Sequence, residues 1–354
     1  MTALPVMHPA LPTAEAVTGY LRTMDEARIY SNFGPMVTEL ERRYAERFNV
    51  PAEAVVACAN ATLGLQGAAA LSPAGTFHCP AWTFPATPLS IVNSGKRLEF
   101  HDVDRLSWQI DLEPRDTSHA LMPVLPFGAE IELDRWQGWT EVVIDAAASG
   151  GAMLRDLAAL PQTWALALSL HATKVLGIGE GGIVIFGDLD RADRFRSYIS
   201  LGFAWRRESD FMGTNAKMSE MAAAYGLAAL DGWSVEEAEW RTARALVAQA
   251  EENLGLASVC STYPGVTPYW IVQHSTPDAA ARAVGALDRA EVGNRRWWPI
   301  PCTRMGAFAH EWGALEVPNS QWLAATTVGL PFYRGLSTAD VDRVVSTLAG
   351  VDQS

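Results

Sequence analysis

The chain has 354 residues, of which 49% are hydrophobic and 19% charged, a composition typical of soluble globular proteins and not of disordered chains. At about 150 residues per domain, this length predicts two or three domains. The formal net charge of −13 excludes general nucleic-acid binding, which needs an excess of lysine and arginine. It leaves room for a small anionic ligand held by a few local donors.

The cysteines and the apolar runs indicate the cellular compartment in which the protein resides. Cys58, Cys79, Cys260 and Cys302 form no C-x-x-C pair, and their spacing indicates neither a disulfide framework nor a zinc site. Reduced thiols in a cytoplasmic protein are the simplest interpretation. No apolar run approaches the ~20 residues of a membrane helix, and residues 1–12 lack a signal-peptide pattern. We therefore expect a cytoplasmic protein with no membrane partner, and we assign no metal ligand.

Short apolar runs alternate with helical patterns along the first two thirds of the chain. Gly34 and Pro35 open a helix, because proline is tolerated at the first helical position. Strands that are covered on both faces read as continuous apolar runs, and their alternation with helices predicts a mixed, mainly parallel α/β sheet. Strands are predicted at 54–58, 97–100, 121–124, 142–144, 164–168 and 183–186, and further helices at 62–71, 189–200 and 219–230.

The pattern changes after Trp233. A long charged helix runs to about Asn253, and a strand at 269–272 and a helix at 277–287 follow. In the final helix Ser337 and Asp340 are spaced as a capping box. We place a domain boundary near residue 235, which predicts a large α/β domain at 1–235 and a small α+β domain at 236–354.

Two polar residues follow buried strands. Asp145 ends the apolar run 142–144, and the carboxyl end of a parallel strand is where ligands bind in open α/β sheets; an aspartate that caps the next turn is an equally good interpretation. Lys174 follows the strand at 164–168, and a lysine amine in a desolvated site is a usable nucleophile. A lysine that reaches the surface along its apolar stem is the alternative.

Two loops could approach a ligand. Residues 59–63 lie between a strand and a helix, so their N–H groups offer an anion site. Helix capping by Asn60 or Thr62 is the alternative, which is common and needs no ligand. The glycines at 177, 179, 181 and 182 are not a dinucleotide loop, because a strand follows them where that motif requires a helix. We interpret them as a tight turn that brings backbone close to Lys174.

Four segments in this order resemble the sugar-nucleotide aminotransferases of pyridoxal-phosphate (PLP) fold type I, the DegT/StrS family. They are AWTFPAT at 81–87, VIDAA at 143–147, SLHATK at 169–174 with the trailing GEGG at 179–182, and GTNAKM at 213–218. The resemblance is strong over roughly residues 30 to 235 and weak beyond. It implies fold type I and an aminotransferase that uses pyridoxal 5'-phosphate, with pyridoxamine 5'-phosphate as its intermediate form.

The resemblance also implies a role for each matching residue. Lys174 is the catalytic residue that forms a Schiff base with the cofactor and carries the proton. Asp145 pairs with the pyridine nitrogen, and Phe84 stacks on the ring. The hydroxyl of Ser169 contributes to holding the phosphate.

The remaining cofactor contacts come from backbone and from a second subunit. The amides of Thr62 and Leu63 complete the phosphate site, and Asn215 reaches the phosphate of the neighbouring subunit, which implies a homodimer. Ala148 stands at a ring-contact position that is often Gln or His in the family, so this contact is absent or comes from elsewhere. The segment at 295–302 departs from a histidine common in the family, which leaves the sugar undetermined.

The function expected from the resemblance is transfer of an amino group from glutamate or glutamine to a nucleotide-linked keto-sugar. A PLP-dependent sugar dehydratase is one alternative, although its known forms replace the lysine with histidine. A PLP-binding regulatory or scaffolding homologue without turnover is another. Among the aromatic residues, Trp82, Trp205, Trp297 and Trp298 could line a sugar or nucleotide pocket, and Trp82 is the one we select. Arg206 and Arg207 are either diphosphate ligands or a solvated surface pair.

Overall fold

A seven-stranded sheet forms the centre of the molecule. The computed structural model describes residues 3–151, 157–203, 208–255, 258, 263–349 and 351. The strands of the sheet are β1 (Val55–Cys58), β2 (Thr76–Pro80), β3 (Arg97–His101), β4 (His119–Leu121), β5 (Glu141–Asp145), β6 (Trp164–Ser169) and β7 (Gly182–Phe186). Their order is β1-β7-β6-β5-β4-β2-β3. β7 is antiparallel to both of its neighbours, and the remaining pairs are parallel. The predicted mixed, mainly parallel α/β sheet is confirmed.

Ten helices surround this sheet and a smaller one within the described ranges. They are α1 (Ala14–Ala27), α2 (Pro35–Phe48), α3 (Ala61–Ala70), α4 (Ala86–Asn93), α5 (Leu189–Tyr198), α6 (Glu220–Leu254), α7 (Pro277–Arg289), α8 (Ala309–Trp312), α9 (Pro318–Thr326) and α10 (Thr338–Leu348). None of these helices combines the length and the apolarity that crossing a membrane requires.

The sheet is buried on both faces, which explains the continuous apolar runs. Alternate residues of β1 belong to two different core clusters: Val55 packs in one, and Val56 packs in the other. On the first side lies α2, which begins after Gly34 as predicted and buries Leu40 and Tyr44. On the second side lies α5, which buries Phe195. Side chains of a strand alternate between faces, so each apolar residue contributes to one of two cores.

Two central strands differ from the sequence-based prediction. β2 was not predicted, because His78 interrupts the apolar pattern of its sequence. The strand expected at 121–124 is β4, which begins at His119 and ends at Leu121. Pro123 accounts for the early end, since proline has no N–H for the ladder. A polar residue in β2 and a proline after β4 therefore made these strands hard to predict from sequence, although pairing with their neighbours stabilises both.

The long helix α6 has 35 residues and replaces two shorter predicted helical stretches. Gly232 lies within it, in open space except for the side chain of Glu236, and it does not interrupt the helix. Residue 235, where we predict the domain boundary, falls inside α6. The division into domains at 1–235 and 236–354 stays a prediction.

The C-terminal third carries a separate two-stranded sheet. Its antiparallel strands are β8 (Trp270–Gln273) and β9 (Thr327–Leu330). The helix α7 contacts α9 and α10, and α10 also packs on α6. In α10 the Ser337 hydroxyl accepts from the Asp340 amide while the Asp340 carboxylate accepts from the Ser337 amide, so the predicted capping box is confirmed.

Candidate active site

A cavity of about 710 Å³ opens at the carboxyl ends of β5 and β6, the place where open α/β sheets bind ligands. Among the eight residues to which the resemblance assigns cofactor contacts, all of them described, Asn215 does not line this cavity. The other seven do: Thr62, Leu63, Phe84, Asp145, Ala148, Ser169 and Lys174. Residues that are up to 112 positions apart in sequence therefore meet because the strands end at one edge.

Lys174 lies in the turn between β6 and β7. Its backbone N–H donates to the carbonyl of His171 at 2.8 Å, and its own carbonyl accepts from Gly177 at 3.0 Å. The side chain enters the cavity, where Nζ donates to the hydroxyl of Tyr269 at 2.9 Å. The side chain therefore points into the cavity, where one hydrogen bond holds its amine; the role of Lys174 as the reactive amine stays a prediction.

The glycines beside Lys174 allow close backbone contacts. A Cβ atom on Gly177 would lie 2.7 Å from the carbonyl oxygen of Ala172, and one on Gly182 would lie 2.6 Å from the carbonyl carbon of Asn60. Both contacts are shorter than any side chain tolerates. The predicted tight turn is confirmed. The glycine at the start of β7 also allows this strand to lie close to the backbone of the loop before α3.

Asp145 is the last residue of β5 and is 6% exposed. Its Oδ2 accepts from the hydroxyl of Thr87 at 2.7 Å, and its Oδ1 accepts from the amide of Ala147 at 3.1 Å. Burial raises the pKa of Asp145, and these two hydrogen bonds and the charge of Lys174 act in the opposite direction. Both donors are neutral, so a cationic N–H group in the cavity would stabilise the carboxylate.

The loop at the start of α3 also lines the cavity. Asn60 is the N-cap, and its Oδ1 accepts from the amide of Leu63 at 2.9 Å, so Asn60 and not Thr62 is the capping residue. A phosphate oxygen at Leu63 would share that amide with Asn60. The amide of Thr62 lies in the first helical turn, where N–H groups have no intrahelical acceptor. The hydroxyl of Ser169 faces the same cavity and accepts from the amide of His171 at 3.1 Å.

Phe84 and Trp82 come from one segment but lie differently. Phe84 lines the cavity and is 59% exposed, so its side chain is accessible to a ligand. Trp82 is 1% exposed and does not line the cavity, which corrects our selection of this tryptophan. It lies behind Trp298: the two rings are 4.9 Å apart, edge to face, and Trp82 Nε1 donates to the carbonyl of Trp298 at 3.0 Å.

The C-terminal third contributes a second part of the cavity lining. It consists of Tyr269, Arg295, Trp297 and Trp298, which we call the wall; Asp145, Ser169 and Lys174 are the floor. The guanidinium of Arg295 lies 4.8 Å from the ring centroid of Trp297, and the rings of Tyr269 and Trp297 meet edge to face at 5.1 Å. The wall therefore offers aromatic surface and one fixed cation.

Sequence reasoning missed part of the wall. Tyr269 was noted only as the start of a strand, and Arg295 only as part of a departing segment, whereas Trp297 and Trp298 were considered as pocket residues and do line the cavity. The run of arginine and tryptophan at 295–298 was the available signal. Trp205, Arg206 and Arg207, which were also considered, and Cys260 lie outside the described residues.

Comparison with known proteins decides the family. The model of the DegT/DnrJ/EryC1/StrS aminotransferase family matches residues 13–349. The chain belongs to this family. It is therefore a PLP-dependent aminotransferase, as the four motifs imply.

Relatives and solved structures agree with this assignment. The dTDP-4-amino-4,6-dideoxy-D-glucose transaminase of Shigella dysenteriae is 26% identical over 359 residues, which cover 97% of each chain. The structure of DesI in the presence of its TDP-sugar product has 28% identity and a TM-score of 0.85, covering 98% of this chain and 92% of DesI. A Bacillus cereus protein assigned as a PLP-dependent aminotransferase has 25% identity and a TM-score of 0.88, covering 98% and 100%. The expected fold type I is confirmed.

The residues present fit the cofactor of the family. The floor has a lysine amine and a buried carboxylate whose recorded donors, Thr87 and Ala147, are neutral. The same cavity includes Thr62 at a helix N-terminus and the exposed ring of Phe84. The lysine amine matches the aldehyde of PLP, and the carboxylate matches its protonated ring nitrogen. The helix N-terminus matches its phosphate, and the ring of Phe84 matches its aromatic ring.

Proposed function

We propose that this aminotransferase moves an amino group from glutamate or glutamine to a keto-sugar that is linked to a nucleotide. One observation carries the proposal: Lys174 and Asp145 face the same cavity as an aromatic wall with a fixed arginine. Aromatic rings provide apolar surface for a base or a sugar, and a guanidinium recognises a diphosphate. The dTDP-sugar named for the Shigella dysenteriae relative and the TDP-sugar named for DesI support a nucleotide-linked substrate.

In this proposal Lys174 is the group that moves the proton in both half-reactions. When PLP is bound, its ring withdraws electrons from the carbon that carries the amino group. The Lys174 amine takes the proton from that carbon and later returns one, as a general base and then a general acid. The Tyr269 hydroxyl, 2.9 Å from Nζ, keeps the amine at the position where this transfer occurs.

The other floor residues orient the cofactor. With PLP bound, Asp145 would pair with the pyridine nitrogen and hold its proton, since a buried carboxylate next to a cationic N–H favours the charged pair. Thr62, Leu63 and Ser169 would hold the phosphate at the start of α3, where the helix dipole favours its charge. Ala148 is 7% exposed in the lining and brings no polar group to the ring.

In the wall, Arg295 binds the charged part of the substrate. Its guanidinium is the cation that the wall offers, it lies 4.8 Å from the ring centroid of Trp297, and a guanidinium can give two parallel N–H donors to an anion. The donor carboxylate and the nucleotide diphosphate are both suitable anions. Because a ping-pong enzyme binds its two substrates in turn, one arginine can serve both.

The active site is completed in a homodimer. Asn215 lies outside the cavity of its own chain, where its Oδ1 accepts from Lys217 Nζ at 2.7 Å, and we assign it to the phosphate of the partner's cofactor. Large apolar side chains are exposed nearby, among them Met212 at 91% and Met221 at 56%. We propose that a second copy of the chain covers these side chains, because they lie close in sequence to the residue that we assign to the partner's site.

A mixed dimer tests the shared site. Asn215→Ala and Lys174→Ala are each expected to be inactive alone. In a dimer that contains one copy of each, one site carries both changes and the other carries neither, so activity returns. No recovery in mixed dimers of verified composition would contradict a site that is shared in this way.

We place the protein in the cytoplasm, on the state of its thiols. Cys58, Cys79 and Cys302 are free and buried, and burial raises the pKa of Cys58 and of Cys302 to about 12. Such thiols are unreactive and suit a reducing compartment. Extraction in the presence of an alkylating reagent, followed by mass spectrometry, would detect any disulfide that contradicts this assignment.

Transfer of labelled nitrogen tests the proposed reaction. The holoenzyme is incubated with [15N]glutamate and a panel of nucleotide-linked keto-sugars, and the products are analysed by mass spectrometry. We expect one amino-sugar that carries 15N, and none with Lys174→Ala. Labelled glutamine distinguishes the two donors.

The same assay separates the two alternatives. A product that has lost water and gained no nitrogen identifies a dehydratase. A regulatory or scaffolding homologue gives no product with any sugar, and a colourless protein that ignores added PLP identifies one without the cofactor. Either result contradicts the proposed transfer.

A further inference from the structure

Four titratable side chains meet on one face of the sheet, away from the cavity. They come from three adjacent strands: His78 from β2, Glu99 and His101 from β3, and His119 from β4. β2 is parallel to β3 and to β4. His78 of β2 lies opposite Glu99 of β3, and Thr76, two residues before His78, lies opposite His119 of β4. Paired residues, and residues two apart on one strand, point to the same face, so all four side chains lie together.

Three of these side chains converge on one point. His78 Nδ1 lies 2.7 Å from His101 Nε2 and 3.6 Å from Glu99 Oε2. The three ligand atoms all lie within 4.8 Å of one another. His78 is fully buried, whereas the Glu99 side chain is 34% exposed, so the cluster runs from the interior of the sheet to the surface at its edge.

We propose that His78, Glu99 and His101 form a binding site for a divalent transition-metal cation, with Zn²⁺ as the best match. Two imidazole nitrogens and one carboxylate oxygen are a ligand set that zinc accepts, with water in the fourth position. Zinc–ligand distances of about 2.0–2.2 Å in a tetrahedron place ligand atoms about 3.3–3.6 Å apart. The 3.6 Å pair is already close to this spacing, and the 2.7 Å pair widens by about 0.6 Å.

A fourth side chain orients the central ligand. His78 Nε2 lies 2.9 Å from His119 Nδ1. When Nδ1 of His78 binds the metal, its proton resides on Nε2 and is donated to His119, which fixes the tautomer as outer partners of metal-bound histidines do. The second oxygen of Glu99 lies 3.5 Å from Arg97, which leaves Oε2 for the metal.

The position of the site suggests what the metal does. β3 is the last strand of the sheet and pairs only with β2 among the strands of the described chain. A cation held by both strands cross-links this edge, and metal that binds only the folded state raises stability. None of the four residues lines the proposed active-site cavity, so the metal acts on the edge of the sheet and is separate from transamination.

Two features oppose the site. The positive charge of Arg115 acts on both His78 and His101, and a bound cation must overcome that repulsion. The three imidazoles can also satisfy one another without a metal, because a neutral ring has one donor and one acceptor. That chain, however, leaves Glu99 Oε2 unused beside the same nitrogen, and the carboxylate is the reason to place a cation there.

The test uses tag-free holoenzyme with PLP bound and metal removed by chelator. We expect Zn²⁺ titration to show one ion per chain, and Co²⁺ to develop the visible absorption of a tetrahedral site. Saturating Zn²⁺ raises the melting temperature by about 2–5 °C. Absence of both the Zn²⁺ isotherm and the Co²⁺ absorption would overturn the proposal and leave a hydrogen-bonded histidine chain.

Variants identify the ligands. We expect His101→Ala to weaken Zn²⁺ binding by at least about 100-fold, Glu99→Gln by about 10-fold or more, and His119→Gln by about 10-fold. Arg115→Ala is expected to tighten binding, because it removes a repulsive charge. His310→Ala changes an exposed histidine and serves as the matched control, with unchanged affinity.

The cofactor provides an independent readout. The absorption of bound PLP should remain unchanged in His101→Ala and Glu99→Gln, which shows that the variants are folded and that metal loss is local. Zinc affinity that is equal in these variants and in the unaltered protein would overturn the assignment. This outcome is distinct from failure of amino transfer, which leaves the zinc isotherm unaffected.

Discussion

The floor and the wall of the cavity are built in different ways. The floor comes from the ends of buried strands: Asp145 closes β5, and Ser169 closes β6. The wall comes from connecting segments of the C-terminal third, and its main components are aromatic rings and Arg295. Strand ends are positioned by the hydrogen bonds of the whole sheet, whereas loop residues depend on their own packing. We infer that the floor determines the cofactor chemistry and the wall determines the substrate.

The largest effect should come from the floor. Lys174→Ala removes the proton carrier, and we expect kcat/KM to fall by about 10³-fold or more, since positioned acid–base groups contribute on this scale. Steady-state kinetics measures the loss. Lys96→Ala, in which the lost amine donates to the carbonyl of Ser72 and not to the cavity, is the control with unchanged activity. A Lys174→Ala enzyme that retained full activity would place the chemistry elsewhere.

Asp145→Asn should have the second largest effect on activity. We expect kcat to fall by about 10²-fold, because a neutral amide cannot keep the ring nitrogen of PLP protonated. The same change should stabilise the protein without cofactor. Burial raises the pKa of Asp145 above its ordinary value. The ionised carboxylate therefore lowers the free energy of unfolding at pH values above its pKa in the folded state. This loss disappears below its pKa in the unfolded state, where the carboxyl group is protonated in both states.

Melting temperatures measured at different pH values test the direction of this effect on stability. Without cofactor, the Asp145→Asn variant should melt at a higher temperature than the unaltered protein near pH 7. The difference should shrink as the pH falls towards the ordinary pKa of aspartate. With PLP bound the order should reverse. A destabilised variant at every pH, with or without cofactor, would contradict the pKa argument.

The wall should change binding more than chemistry. Arg295→Ala removes the cation, and we expect KM for the nucleotide-sugar to rise about 10–30-fold while kcat changes little, the pattern for lost uniform binding. Arg22→Ala, on the exposed face of α1, is the control. A loss confined to kcat would mean that Arg295 acts in the chemical step and would break the division between the two regions.

Tyr269 joins the two regions, because a wall residue contacts the floor lysine. Tyr269→Phe keeps the ring and removes the hydroxyl that accepts from Lys174 Nζ. We expect kcat to fall about 5-fold, in line with the loss of one hydrogen bond of about 1 kcal/mol. A pre-steady-state measurement of the half-reaction with glutamate isolates this step. An unchanged rate there would mean that the wall has no part in positioning the amine.

Some features were predictable because their causes are local. Apolar runs specified β1, β5, β6 and β7, and helix signals specified α2 and the capping box of α10. Of the seven predicted residues that line the cavity, Phe84, Asp145, Ser169 and Lys174 were found through motifs, since each of these motifs surrounds a strand end or a helix start. Thr62 and Leu63 came from the loop before α3, and Ala148 from its position after the aspartate motif. β2 was missed because His78 breaks its pattern, and burial of that histidine depends on partners 23 and 41 residues away in sequence.

The C-terminal residues of the site were not predictable from local pattern. Tyr269 precedes β8, and nothing in the sequence around it indicates that its hydroxyl meets Lys174. Trp82 was the opposite case: its motif suggested a pocket residue, but the ring packs behind Trp298 and supports the wall. A side chain's direction depends on the backbone of both segments, which only the assembled fold defines.

The sequence by itself determined the family, the cofactor and the residues at the strand ends, because motif spacing reflects strands and turns whose geometry is local. Tertiary structure alone decided which wall faces the lysine, which tryptophan reaches the cavity and which histidines share a face of the sheet. Those relations join segments up to 216 residues apart, as Trp82 and Trp298 are. Packing brings such segments together, and the pattern within each of them is independent of that contact.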